Sequence, residues 1–195
     1  MATPTKVNFK IYQGGTFNEV LRWESATKGY APITNITNAA PMVATSASHG
    51  VPPGWRGKFA NVLGMVEVNA LDYITVTSAD SDTMTFNSIN SIGFKPYVSG
   101  GVFEYNIPVD LTGYTARMQL RTKVDSPDII HELTTENGGI TISNTLKTIT
   151  LNIPPTTTSG FNFSTAVHSL ELVSSGGIVT PFFNGTSTLI KEVTR

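Results

Sequence analysis

Apolar and polar residues alternate with a period of two along much of the chain, the mark of strands with one buried face. Val7, Phe9 and Ile11 alternate with Asn8 and Lys10, and Phe17, Leu21 and Trp23 share a parity that Glu19 interrupts. The clearest case sets Tyr114, Ala116, Met118 and Leu120 against Thr115, Arg117, Gln119 and Arg121, as a sheet with one wet side requires. Ile149, Leu151 and Ile153 form another strand, stopped by Pro154-Pro155. His168, Leu170 and Leu172 form a third, with Ser169 and Glu171 opposite. Residues 182–193 read as one or two further strands around Asn184-Gly185. The pairs Gly14-Gly15, Gly100-Gly101, Gly138-Gly139 and Gly176-Gly177 sit between apolar stretches and predict hairpins or bulges with positive φ. No stretch carries a helical stripe of three turns, and residues 156–163 have room for one short helical turn. The expected fold is all-β, an immunoglobulin-like β-sandwich.

Residues 33–101 follow a different rhythm. They hold seven charged side chains, Arg56, Lys58, Glu67, Asp72, Asp80, Asp82 and Lys95, whereas the flanks hold the other 20 of 27. Short strands are expected at 33–36, 42–45, 55–62, 73–77 and 84–86, a spacing that suggests a small closed barrel. Residues 1–32 and 102–195 then build the sandwich as a discontinuous domain, and 33–101 form a small β-barrel inserted in one connection. Such insertions are tolerated because closure entropy grows slowly with loop length.

Composition narrows the chemistry. Thirteen Lys and Arg against fourteen Asp and Glu leave a net charge of −1, so no global field draws in nucleic acid or an anionic membrane. The absence of cysteine excludes disulfides, thiolate metal sites and cysteine nucleophiles. The start, Met1-Ala2-Thr3-Pro4-Thr5-Lys6, has no apolar run, so no signal peptide is expected, and no segment approaches the roughly 18 apolar residues of a membrane span.

Reactive constellations are sparse. His49, His131 and His168 are widely separated, without the short spacings of a zinc site; His49, beside Gly50, is expected to fix a turn, and His168 to face a partly apolar layer. No Gly-x-Ser-x-Gly elbow occurs, and Ser48-His49, as strand neighbours, point to opposite faces. Asp80 and Asp82 share a parity, but Ser81 and Thr83 beside them spell a turn rather than a catalytic pair; Asp125-Ser126-Pro127-Asp128 is another turn. No glycine-rich phosphate cradle is present. Arg117 and Arg121 with Lys123 make a modest basic stripe, better suited to a protein contact than to nucleic acid. Phe161, Phe163, Phe182 and Phe183 cluster near turns; adjacent Phe182 and Phe183 face opposite ways if extended, so one is free to leave the core. Trp55, with Tyr73 or Tyr97, is a candidate sugar platform, and also a candidate for packing the barrel. No cofactor is expected. The candidate contact side chains are therefore Phe161, Phe163, Phe182, Phe183, Arg117, Arg121 and Trp55.

The flanks resemble a recurrent family of tailed-bacteriophage virion proteins. The resemblance rests on residues 9–17 (Phe9-Lys10-Ile11-Tyr12-Gln13-Gly14-Gly15-Thr16-Phe17), on 108–121 (Pro108-Val109-Asp110-Leu111-Thr112-Gly113-Tyr114 and the strand after it), and on Glu192-Val193-Thr194-Arg195. Their sandwich is similar to the attachment domain of phage baseplate proteins. The chain departs from these relatives at His168, where they often carry tyrosine. The interior resembles the first-catalytic-cysteine half-domain of ubiquitin-activating enzymes, through 33–37, 47–50, 62–65, Asn69-Ala70 and 97–101. That likeness implies a fold and no ubiquitin chemistry. Together these resemblances imply a non-enzymatic structural component of a tailed-phage virion, made in the host cytoplasm. It would be a neck or tail adaptor or fibre anchor whose partners are other virion proteins and copies of itself. A capsid decoration protein and a receptor- or glycan-binding tail module are the alternatives.

Overall fold

A computed structural model of the chain describes residues 4–193. Met1-Ala2-Thr3 and the end of the closing motif, Thr194-Arg195, lie outside the described residues. The strands run β1 (Thr5–Lys6), β2 (Phe9–Tyr12), β3 (Phe17–Leu21), β4 (Glu24–Pro32), β5 (Asn35–Ile36), β6 (Met42–Thr45), β7 (Arg56–Ala60), β8 (Ile74–Thr75) and β9 (Ser78–Ala79). They continue as β10 (Thr83–Phe86), β11 (Val102–Pro108), β12 (Thr115–Arg121), β13 (Ile129–Thr134), β14 (Ile140–Ser143), β15 (Thr148–Ile153), β16 (Thr165–Val173) and β17 (Val179–Ile190). The helical content among the described residues is a single turn, α1 (Pro155–Thr158), and a 3-10 segment at Val66–Ala70. The protein is all-β.

The chain divides into two compact units. One comprises Met1–Arg22, Asp110–Asn144 and Thr148–Arg195; the other comprises Trp23–Val109 with Thr145–Lys147. The division falls about ten residues outside the 33–101 boundary expected from composition. The reason is pairing: β4 and β11 are partners over their length, and β11 also pairs with β7, so both strands belong with the inserted segment. Charge density marked the interior of that segment but missed these two polar walls.

The discontinuous unit is a sandwich. Its large sheet has the order β1-β17-β16-β12-β13, with β2 also on β17; the smaller has the order β14-β15-β3. The alternation read from the sequence maps onto it directly: Ala116, Met118 and Leu120 of β12 and Ala166, Leu170 and Leu172 of β16 are buried, as are Ile149, Leu151 and Ile153 of β15. Phe9 of the large sheet meets Phe17 of the small one edge-to-face at 5.3 Å, one of the contacts that joins the layers. Of the one or two strands expected over residues 182–193, one is observed, continuous through β17 (Val179–Ile190). Asn184-Gly185 is no turn: a Cβ on Gly185 would lie 1.8 Å from the Val7 carbonyl oxygen, so glycine is required there by the close approach of another backbone.

The inserted unit consists of two four-stranded sheets, β5-β6-β10-β9 and β4-β11-β7-β8. Backbone bonds join them at two corners: Val76 N–H to the Trp55 carbonyl and Thr77 N–H to Thr85 on one side, Ile33 N–H to Gly101 and Thr34 N–H to Thr45 on the other. Trp55, Phe59, Phe86, Phe103, Met42, Met65 and Met84 fill the interior. Phe59, Phe86 and Phe103 pack with centroids 5.2–5.5 Å apart, the offset and edge geometries that aromatic quadrupoles favour.

Candidate interaction face

Each of the four Gly-Gly pairs contains at least one residue at positive φ, and Gly176-Gly177 lies in the hairpin that joins β16 to β17 in the large sheet. Apart from His168 and Ser187, which are buried, the polar residues of β12, β16 and β17 lie mainly on the side opposite the apolar face. One row of that outer face is fixed by register: Glu132, Gln119, Ser169, Asn184 and Lys6, one from each of five strands. Arg121, Val167 and Thr186 lie in the neighbouring row on one side, and Arg117 and Glu171 on the other.

The structure therefore brings Arg117 and Arg121 onto one face, but it uses them differently. Arg117 pairs with Glu171 at 2.8 Å, an exposed ion pair. Arg121 is committed to local structure: its Nε and Nη2 donate to the Gln119 amide oxygen (3.2 and 2.7 Å), and its Nη1 donates to the carbonyls of Ser126 and Pro127. It thus pins residues 122–128 against the sheet. Gln119 in turn donates to Glu132. Between the long side chains of this rim, the small Ser169 and Thr186 leave a hollow of about 480 Å³ bordered by Lys6 and Arg121. A smaller one of about 260 Å³ is bordered by Arg117, Glu132 and Glu171 and shares Gln119 and Ser169 with it.

Three aromatic side chains expected to make outside contacts are in fact core. Trp55 is fully buried in the inserted unit, its indole N–H donating to the Asn106 carbonyl at 2.7 Å. It cannot form a sugar platform with Tyr73, which stays exposed, or with Tyr97, whose hydroxyl is bonded to the backbone of Ile33 and Gly100. Phe161 is buried, with its ring near His131 at 5.7 Å and Phe163 at 5.5 Å. The chain around it is tied down by Gln13, whose amide donates to the Phe161 carbonyl, and by Thr158, whose hydroxyl donates to the Gly15 carbonyl. Phe183 is buried against Phe9 and His168. Phe163 and Phe182 are half-buried. The partner register skips Phe182 as it passes from Leu170–Phe183 to Glu171–Pro181, so a bulge relaxes the strict alternation of Phe182 and Phe183.

The histidines are structural. The His49 ring accepts the Val51 N–H at Nδ1 (2.9 Å), which leaves Nε2–H to donate to the Thr83 carbonyl at 3.2 Å and fixes the turn. His168 lies beneath the large sheet, 4% exposed and stacked on Phe9 at 5.0 Å. Its Nε2–H donates to the Val7 carbonyl (3.1 Å), so Nδ1 accepts from the Ser187 hydroxyl (2.8 Å). Burial pushes its imidazole below the ordinary histidine value, although the Val7 bond opposes that shift. Burial likewise lowers His131, opposed by Glu132. Asp80 accepts the N–H groups of Asp82 and Thr83 and the Thr83 hydroxyl, which makes it a turn residue, held by these bonds below the usual carboxylate range. Among the described residues no group of three or more His, Cys, Asp or Glu is placed to hold a metal ion.

Sequence reasoning missed a second charged cluster, on the inserted unit. Lys28, Arg56 and Lys58 lie 5.5–5.9 Å from the centre of the Tyr73 ring. Glu104 pairs with Lys28 and Glu24 with Arg56, which balances most of that charge. These residues come from β4, β7 and the segment before β8, and only the β4–β11–β7 pairing, invisible in local pattern, brings them together.

No family model matches this chain, and no curated protein is significantly similar to it.

Proposed function

We propose that the protein is a non-enzymatic structural component of a tailed-phage virion, a neck or tail adaptor or fibre anchor that works through contacts with copies of itself and with other virion proteins. The observation that carries this reading is where the flank motifs fall. Residues 9–17 form β2, its glycine turn and the start of β3, and residues 108–121 lead from β11 into β12 within the large sheet. Residues 9–17 and 110–121, the greater part of the segments that resemble virion sandwiches, thus lie in the sandwich unit.

Exposed apolar side chains agree with a surface that meets protein. Tyr12 and Ile190 face each other in register at the end of the large sheet, 60% and 36% exposed, and Val193 follows at 97%. The burial of Trp55 removes the aromatic platform that favoured a glycan-binding module. The test is to purify particles of the phage that encodes the chain and to locate the protein by mass spectrometry and electron microscopy. Stoichiometric presence at the neck or tail supports the reading. Detection in infected-cell lysate but never in virions overturns it.

A further inference from the structure

We propose that the hollow on the outer face of the large sheet binds a carboxylate-bearing segment of a partner protein, with the acidic group held between Lys6 and Arg121. The charge distribution points to this chemistry. Among the described residues lining the larger hollow, the ionisable ones are Lys6, Arg121 and the buried His168; no carboxylate is among them. The acids of this face, Glu132 and Glu171, border the smaller hollow, where each already holds a partner, Gln119 and Arg117. The groove therefore carries positive charge on two opposite sides that no acid on its wall offsets.

The donors are also held in place. A guanidinium has five N–H groups in a fixed fork. Four of those of Arg121 are taken by Gln119, Ser126 and Pro127, so a single Nη2 hydrogen remains for a ligand, on a side chain that loses no further rotamer freedom when it binds. Lys6 contributes a mobile point charge from the other side. Gln119, Ser169 and Asn184 supply both donors and acceptors along the row between them, and Val124, 80% exposed on the pinned 122–128 segment, supplies an apolar rim. A groove that spans several strands, with a cation on each side, a polar floor and an apolar edge, suits a short stretch of chain better than a free anion. The assignment rests on the proposed virion role for who the partner is, but not for the binding chemistry.

The test uses the full chain and a displayed library of short random peptides. Enriched peptides are measured by fluorescence anisotropy against the protein and against its Lys6→Glu and Ser169→Tyr variants, of which the first reverses the charge and the second fills the hollow without adding any, neither touching the core. The expected result is a pool rich in Asp and Glu, whose binding weakens about tenfold or more in either variant and falls as salt is raised. Enrichment without acidic residues, acidic peptides that bind the variants equally well, competition by acetate alone at the same affinity, or self-association abolished by Lys6→Glu with no peptide binding would each overturn it. Virion location is measured separately, so failure here leaves the structural role standing, and the converse also holds.

Discussion

Replacing Gly185 with alanine is the sharpest probe of the sandwich. The backbone at Gly185 does not lie in the left-handed region, so the substitution adds no torsional strain; the difficulty is space. The new methyl would sit 1.8 Å from the Val7 oxygen and 2.7 Å from its carbonyl carbon, and backbone cannot rotate away as a side chain can. The segment joining β1 and β2 must lift. That movement breaks the His168–Val7 bond (3.1 Å), the Val7 N–H bond to the Asn184 carbonyl (2.9 Å) and the bond from Thr186 N–H to the Asn8 side chain (3.0 Å). At about 1 kcal/mol for each bond, and about 1–3 kcal/mol more for a buried imidazole left without its acceptor, the loss is about 4–6 kcal/mol. Both tryptophans lie in the inserted unit, so the sandwich is best followed through resolved amide signals in a urea titration and through hydrogen exchange at Val7 and Thr186. Gly138→Ala is the control: that glycine has open space around it but φ of +76°, so alanine there carries only torsional strain of roughly 1–2 kcal/mol. A Gly185→Ala protein that loses less than about 1 kcal/mol, with the Val7 amide still protected, would refute the steric reasoning.

Other expectations follow from the same geometry. Because burial depresses the His168 and His131 imidazoles in the folded state, the unfolded chain binds protons first; stability holds above about pH 6.5 and declines as pH falls below it, and His168→Gln flattens that slope in urea midpoints measured between neutral and acid pH. Arg121→Ala costs about 1–2 kcal/mol and exposes residues 122–128 to limited proteolysis, whereas Arg117→Ala, which breaks only an exposed ion pair, changes the midpoint by less than about 0.5 kcal/mol. Trp55 emits at short wavelength and resists iodide quenching, and Trp55→Ala lowers stability by about 3–5 kcal/mol through the cavity it leaves, as thermal unfolding of the variant will show.

Much of the fold was legible because burial imposes its own period on a strand. Ala116, Met118 and Leu120, or Ile149, Leu151 and Ile153, declare their inner face without reference to any partner. The turn between 156 and 163 was legible too, from two prolines that stop β15 and a helix start that proline tolerates; the observed turn is Pro155–Thr158. Partnership was harder to read. Nothing local in β4 or β11 says that they pair with each other and with β7, so the boundary at 33–101 left both strands with the sandwich. Asn184-Gly185 resembled a turn because local pattern cannot reveal a backbone some 178 residues away pressing on the glycine. The candidate contact residues divide on the same line. Arg117 and Arg121 were found because alternation exposes them. Trp55 packs the inserted unit, one of the two roles open to it, and Phe161 and Phe183 are buried; as contact candidates they could not be sorted, because an aromatic near a turn reads the same whether it leaves the core or plugs it.

The parallel pairing of β1 and β2 with β17 has a consequence for biosynthesis. β1 and β2 find their partner only when β17 has emerged from the ribosome, whereas residues 23–109 contain nearly everything their own unit needs. Loop closure over so long a stretch is slow. The inserted unit is therefore the part that can mature early on the nascent chain, while the opening segment waits, unpaired, for translation to reach β17.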